Sequence, residues 1–304
     1  MSAEPSTQTT EFVASESESG ARVDVTVARL TGSTRSQVSA AVEAGQLLIN
    51  GHPAKGSTPL NVGDNVSATI ASKTTFEVIP QALPLDIMFE DDSILVVNKA
   101  AGMVTHPAHG TPDGTLVNAL LAHVGELPGE RVRAGLIHRL DRDTSGLLLI
   151  AKTPAALTTL GRAMQKRYIE REYCGLVVGS PEDDAGTLEG AIGRDPQNRM
   201  KYTVRSEGKY AVTHFTVHER LIGASELYFT LETGRTHQIR VHMATYGNPI
   251  VNDIVYGRRD HRAALPGQAL HAWRLSFKHP QTQERLHFEA PPPPDYVATK
   301  ALFT

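Results

Sequence analysis

The sequence predicts an α+β protein, and three observations carry that expectation. Runs of β-branched and apolar residues recur at 94–99, 147–151, 171–179 and 270–280, each of strand length. Between them lie segments in which side chains three and four apart share a face, such as Leu116, Ala119, Leu120 and His123. The last strand-like run turns back through Arg285 to Phe288, the pattern of an antiparallel hairpin.

Taken in order, residues 1–19 are rich in Ser, Thr and Glu and poor in apolar side chains, so they are expected to form a disordered acidic tail. At most, Phe12-Val13 offers a short strand. Residues 20–71 form a small module. Val38, Ala41 and Val42 recur at helical spacing, with Ser36 as the expected N-cap and Gly45 as the stop. Leu47-Leu48-Ile49 runs into an Asn50-Gly51 turn, and Val62-Gly63-Asp64 opens a strand through Val66 and Ile70. Residues 72–84 contain Pro80 and Pro84 with little periodicity, which marks a linker. A large domain, 85–304, follows.

Within it, Thr153-Pro154 is a cap followed by Pro at the first helical position, and Leu157, Leu160, Gly161 and Met164 make the buried stripe. Arg162, Lys166 and Arg167 fall mostly off that stripe, as a basic outer face. Along the strand at 171–179 side chains alternate, so Tyr173 and Cys174 face opposite ways and Cys174 reads as core packing. Thr236 is the expected cap of a helix that buries Ile239, Met243 and Tyr246 and stops at Gly247, placing Arg235 beside the helix N-terminus. His237 and His242 would lie about 140° apart on that helix, poor geometry for one metal ion.

Composition narrows the function classes. The chain has 304 residues, 40% hydrophobic and 21% charged, which suits a globular protein of two domains. No apolar stretch approaches the roughly 18 residues of a membrane span, and no secretory signal is visible. A single cysteine excludes an internal disulfide. Cytoplasm, a monomer and no membrane association are therefore expected. The net charge of −3 is uneven: the first twenty residues hold four Glu and no Lys or Arg, leaving the rest at +1. Positive clusters at 131–142, 162–171, 194–209 and 258–262 can attract phosphate locally.

The most informative stretch is Leu136 to Ile150. It packs His138, Arg139, Asp141, Arg142 and Asp143 between apolar runs, at the mouth of a core where unpaired charge is costly. His138-Arg139-Leu140-Asp141, followed by Thr144-Ser145-Gly146-Leu147-Leu148, resembles the catalytic signature of the RluA-type pseudouridine synthases, which isomerise uridine in structured RNA. The resemblance extends from about residue 22 to 294. Asn98-Lys99 with Gly102 and His106-Pro107 is similar to the family's first turn, with Ala100 where Pro is usual. Residues 171–179 and 232–243 resemble its second and third motifs. Residues 20–71 resemble the alpha-L RNA-binding module, although Arg22-Val23-Asp24-Val25 lacks the usual Lys. The whole is most like the large-ribosomal-subunit pseudouridine synthase D subgroup.

The resemblance implies a catalytic domain on a mixed, mostly antiparallel sheet with flanking helices. It implies Asp141 as the catalytic carboxylate and Tyr173 lying against the target base. Asp143 is less favoured, because the matching position varies. Pseudouridine formation breaks the N1–C1′ bond and rejoins uracil through C5, needing no cofactor and no metal. A carboxylate beside C1′ can attack the sugar or act as a base at C2′, and the sequence does not choose. A guanidinium would keep it ionised, and Arg235 is the expected partner. His138 and Arg139 are expected to position the loop or bind phosphate. Arg29, Arg35, Arg167 and Arg240 are expected RNA contacts. RNA, chiefly large-subunit ribosomal RNA, is the expected partner. A non-catalytic RNA-binding assembly factor and an RNA N-glycosidase remain as alternatives.

Overall fold

The Leu147–Ala151 run alternates between two cores, which explains why it is apolar at every position. In the computed structural model it belongs to a strand, Ser145–Ala151, that is buried throughout. Leu147, Leu149 and Ala151 pack in one cluster with Ile94, Val96, Ala156 and Leu160, while Leu148 and Ile150 pack in another with Leu95, Val97, Leu116 and Leu120. A sheet covered on both faces has no polar side to display.

The structure describes residues 7–71, 78–108, 110–198 and 200–304. The chain divides into two compact units, Met1–Phe76 and Glu77–Thr304. In the first, the order is β1 (Thr7–Val13), α1 (Val23–Thr31), α2 (Arg35–Glu43), β2 (Leu47–Ile49), β3 (His52–Pro53) and β4 (Asn65–Ala71). Its strands form a sheet in the order β1-β4-β2-β3, and Val23, Val27, Val38, Leu47, Leu60 and Val66 build its core.

Two expectations for this unit are corrected. From Thr7 onward the tail is not disordered. Thr7–Val13 pairs antiparallel with β4, from Gln8 opposite Ile70 to Val13 opposite Asn65, and Ala14 is buried. Strand pairing uses backbone groups, so a polar composition does not prevent it. The cap of α2 is Thr34, not Ser36: Thr34 and Gln37 form a reciprocal capping box. Residues 23–27 form the first turns of α1, and burial of Val23, Thr26 and Val27 outweighs the low helix propensity of β-branched residues.

Of the expected linker, 72–77 lies outside the described residues. The rest packs on the second unit. Val78 is buried with Val117, Leu121 and Ala134, and the Asn118 side chain donates to the Ile79 carbonyl at 2.8 Å.

The second unit contains β5 (Ile87–Glu90), β6 (Ile94–Lys99), α3 (Leu116–Val124), β7 (Ser145–Ala151), α4 (Pro154–Gln165) and β8 (Glu170–Val178). Then come β9 (Ala185–Arg194), β10 (Tyr202–Val204), β11 (Lys209–Arg220), β12 (Ala224–Leu231), α5 (Gln238–Tyr246), β13 (Leu270–Lys278), β14 (Arg285–Glu289) and α6 (Pro294–Lys300). Among the described residues they form one ten-stranded sheet, β10-β9-β11-β12-β8-β13-β7-β6-β5, with β14 added to β13. Among the described residues only β13 and β7 pair in parallel, so the sheet is mixed and mostly antiparallel. At that junction Gly146 has φ 114°, and a Cβ there would lie 2.2 Å from the Ala272 carbonyl oxygen. Only Gly lets the two strands meet there. No helix among the described residues is long and apolar enough to cross a membrane.

Candidate active site

Asp141 sits on the loop that enters β7, and side chains from distant elements fix that loop. Lys99, only 2% exposed, donates from Nζ to the carbonyls of Ala100 (2.8 Å), Met103 (2.9 Å) and Arg142 (2.9 Å). Burial pushes its ammonium down to about 7, against the pull of Asp143 and Asp141. Thr105 Oγ1 donates to the Leu140 carbonyl at 2.7 Å, and Gln268 Nε2 to Thr144 Oγ1 at 2.9 Å. Ser145 and His271 are hydrogen-bonded at 2.8 Å. Lys99 and Thr105 thus hold the backbone carbonyls on either side of Asp141, and Gln268 and His271 hold the hydroxyls of Thr144 and Ser145 beyond it.

Its side chain is held by Arg240, whose Nη1 lies 3.0 Å from Asp141 Oδ2. Arg240 is 5% exposed and also makes a two-pronged contact to Asp253, itself 1% exposed, at 2.7 and 2.9 Å. Its guanidinium lies over the Tyr256 ring, 5.2 Å from the centroid. Burial opposes ionisation of Asp253, but Arg240 and the N–H groups of Tyr256 and Val255 outweigh it and hold the carboxyl below its usual range.

The expected Arg235–Asp141 pair is therefore corrected. Helix α5 begins at Gln238, and its N-cap is His237 in the left-handed region (φ 57°), not Thr236. Arg235 falls in the preceding turn, where its N–H donates to Gln238 Oε1 (3.0 Å) and its Nε to the Tyr210 carbonyl (3.1 Å). The later start puts Arg240, in the first turn of the helix, against Asp141.

A cavity of about 490 Å³ opens in front of Asp141, and Tyr173, Arg171, Arg235, His237 and Arg240 contribute to its wall. Tyr173 is buried, its hydroxyl held above the usual range by burial. Cys174 is buried too, and burial pushes its thiol up to about 12, so it offers no thiolate. His237 Nε2 lies 3.9 Å from Asp141 Oδ2, and its Nδ1 is 2.8 Å from the Tyr256 hydroxyl. Burial lowers its pKa.

The other singled-out residues divide. His138, Arg139 and Arg167 also line the cavity. His138 Nε2 accepts from the Leu149 N–H at 3.2 Å, and burial together with Arg171 pushes the ring down to about 3. The ring is thus neutral and bonded to the backbone of β7. Arg139 is exposed and lies 3.3 Å from His106 Nε2. Arg167 is paired with Glu232. Arg29 and Arg35 belong to the N-terminal unit, where Arg29 pairs with Glu18 at 3.0 Å and Arg35 starts α2, exposed.

Asp253, Tyr256, His237 and Arg171 were not singled out for this site from the sequence. Arg171 had a usable signal, since it stands two residues before Tyr173 on one strand and so shares its face. Asp253 and Tyr256 lie in a loop with no motif to mark them. Among the described residues no group of three His, Cys, Asp or Glu side chains is arranged to hold a metal ion.

A carboxylate fixed by one guanidinium, beside a buried tyrosine in a cleft, suits chemistry at a sugar carbon. The RNA pseudouridylate synthase family model matches residues 93–245, and the S4 domain model matches 21–66. The chain belongs to the RNA pseudouridylate synthase family and carries an RNA-binding S4 domain at its N-terminal end. Its activity is that of an isomerase acting on uridine in RNA. It is 43% identical over 288 residues to the uncharacterized RNA pseudouridine synthase YlyB of Bacillus subtilis, covering 94% of this chain and 95% of that one. It is 42% identical over 289 residues to a ribosomal large subunit pseudouridine synthase D of Neisseria meningitidis, covering 91% and 77%. Among solved structures, human RNA pseudouridylate synthase domain containing 1 superposes with a TM-score of 0.57 at 28% identity, over 69% of this chain and 84% of that one.

Proposed function

We propose that Asp141 is the carboxylate that acts at C1′ or C2′ of the target uridine, and that the substrate is large-subunit ribosomal RNA. The observation that carries the first part is the Arg240–Asp141 contact at the cavity wall, which orients a carboxylate where a sugar can approach. Tyr173 lies against the uracil, and the target nucleotide leaves the RNA stack to reach it. Arg139 and Arg235, both exposed at the cavity, take phosphate contacts. The relatives named large subunit pseudouridine synthases support the RNA class. The S4 domain captures RNA through its exposed basic residues, Arg35 among them.

The test is to map pseudouridine by carbodiimide chemistry in ribosomal RNA from cells with and without this protein. Loss of one or a few large-subunit sites, restored by the purified protein on unmodified transcript, supports the reading. Loss confined to another RNA class removes the ribosomal assignment. Release of free uracil with abasic RNA would make the protein an N-glycosidase instead.

A further inference from the structure

Arg171 is a buried cation whose side chain has no hydrogen-bond or ion-pair partner among the described residues. It is 7% exposed, its Nε has no hydrogen-bond acceptor, and no acid among the described residues forms an ion pair with it. Such a charge is costly to hold, because burial takes Nε from water and no acceptor among the described residues replaces it. Its neighbours do not help. His138, whose Nε2 accepts from Leu149, carries its proton on Nδ1, and that N–H is also buried without an acceptor. Two donors with no acceptor therefore lie together at the wall of the cavity that holds Asp141.

The placement relates Arg171 to the chemistry. On β8, Arg171 and Tyr173 are two residues apart and share a face. Tyr173, Arg171 and Asp141 all line the same cavity. Gly234 leaves room for the guanidinium, since a Cβ there would lie 3.0 Å from Arg171 Nη1.

We propose that Arg171 is a catalytic residue that takes up the negative charge leaving with uracil when the N1–C1′ bond breaks. This rests on the reading of Asp141 and Tyr173 given above. In that step the bonding pair departs with N1, and the charge spreads over N1, O2 and O4 of the base. The sugar carbon is compensated by Asp141, through a bond to C1′ or by removal of the C2′ proton. The base turns, C5 bonds to C1′, the C5 proton is lost and N1 gains one, so the composition is unchanged. A cation already desolvated beside the base stabilises that anion without reorganising. In the resting protein it has nothing to pair with, the cost expected of a group built for the transition state.

The experiment uses the full chain and the RNA fragment that the wild type converts in the mapping above, with Arg171→Met and Arg171→Lys. Single-turnover rate at saturating RNA, affinity, salt dependence and melting temperature are measured, with Asp141→Asn in parallel. Arg171→Met should slow conversion by about 100-fold or more, with affinity and salt slope little changed. Its melting temperature should hold or rise, since a buried unpaired charge is removed. Arg171→Lys should retain more activity. Replacing O4 of the target uracil by sulfur makes a weaker base leave, and should restore more rate to Arg171→Met than to wild type.

A loss that appears as weaker binding with a shallower salt slope would make Arg171 a phosphate contact and overturn the proposal. So would a thio effect equal in both proteins, or a melting temperature that falls with the rate. Conversion by Asp141→Asn would instead overturn the reading on which the proposal rests.

Discussion

Arg240 bonds Asp141 and Asp253 at once, with one contact to the first and two to the second. The buried Asp253 thereby aims the guanidinium that holds the carboxylate at the cavity. Arg240→Lys keeps one charge but cannot span both acids, and should lower the single-turnover rate by about tenfold or more. Arg240→Ala leaves a buried Asp253 unpaired and should cost about 3–5 kcal/mol of stability, read by denaturant unfolding. Arg235→Lys, whose contact is to a carbonyl, should affect the rate less. A larger loss from Arg235→Lys than from Arg240→Lys would reverse this assignment.

Acid should destabilise the protein before the carboxylates titrate. His138 is held neutral down to about 3, and His106, His237, His242 and His271 are also lowered, each chiefly by burial. Between about 3 and the ordinary histidine value of 6.5, the unfolded chain binds protons that folded His138 refuses. Its contribution is therefore complete above 6.5 and is lost as pH falls. Melting temperature should drop below that point, and His138→Gln should flatten the slope. An identical pH profile for the two proteins would show that His138 is not a source of it.

Lys99 is expected to matter through geometry. Lys99→Met removes three N–H donors and leaves the Ala100, Met103 and Arg142 carbonyls without them, the last on the Asp141 loop. Stability should fall by about 1–3 kcal/mol, and the rate should fall with RNA affinity kept. A variant with wild-type rate would show that the loop holds its shape without this clamp.

The N-terminal unit should act in capture. Deleting residues 1–76 should raise the RNA concentration needed more than it lowers the rate at saturation. It should also make binding less sensitive to salt, since fewer phosphate contacts release counterions. Unchanged affinity in a filter-binding titration would remove the RNA role of this unit.

What was legible in the sequence follows from local chemistry. The runs that became β6, β7 and β8 were readable because burial on both faces leaves an unbroken apolar stretch in each, Ile94–Val97, Leu147–Ala151 and Tyr173–Val177. Thr153-Pro154 and Asn50-Gly51 were readable because cap and turn are decided within a few residues. The start of α5 was misplaced, because the left-handed His237 is sustained by tertiary contacts with Tyr256 and Tyr202 that no local pattern announces. That one-residue shift left Arg235 beside the expected helix start, whereas Arg240 in the first turn is the residue that meets Asp141. Strand β1 was hidden for another reason: its contribution to the sheet is backbone pairing, which composition does not record.

The assignment of Asp141 is tested most directly by single-turnover conversion with Asp141→Asn and Asp143→Asn, on RNA that both bind and with folding verified by circular dichroism. Asp141 meets Arg240 at the cavity, whereas Asp143 faces Gly267, where a Cβ would lie 2.5 Å from the Asp143 Cβ, and pairs loosely with exposed Arg142 at 3.7 Å. Asp141→Asn should form no pseudouridine while binding RNA as the wild type does, and Asp143→Asn should retain much of the rate. Turnover by a folded Asp141→Asn protein, or a greater loss from Asp143→Asn, would contradict the assignment.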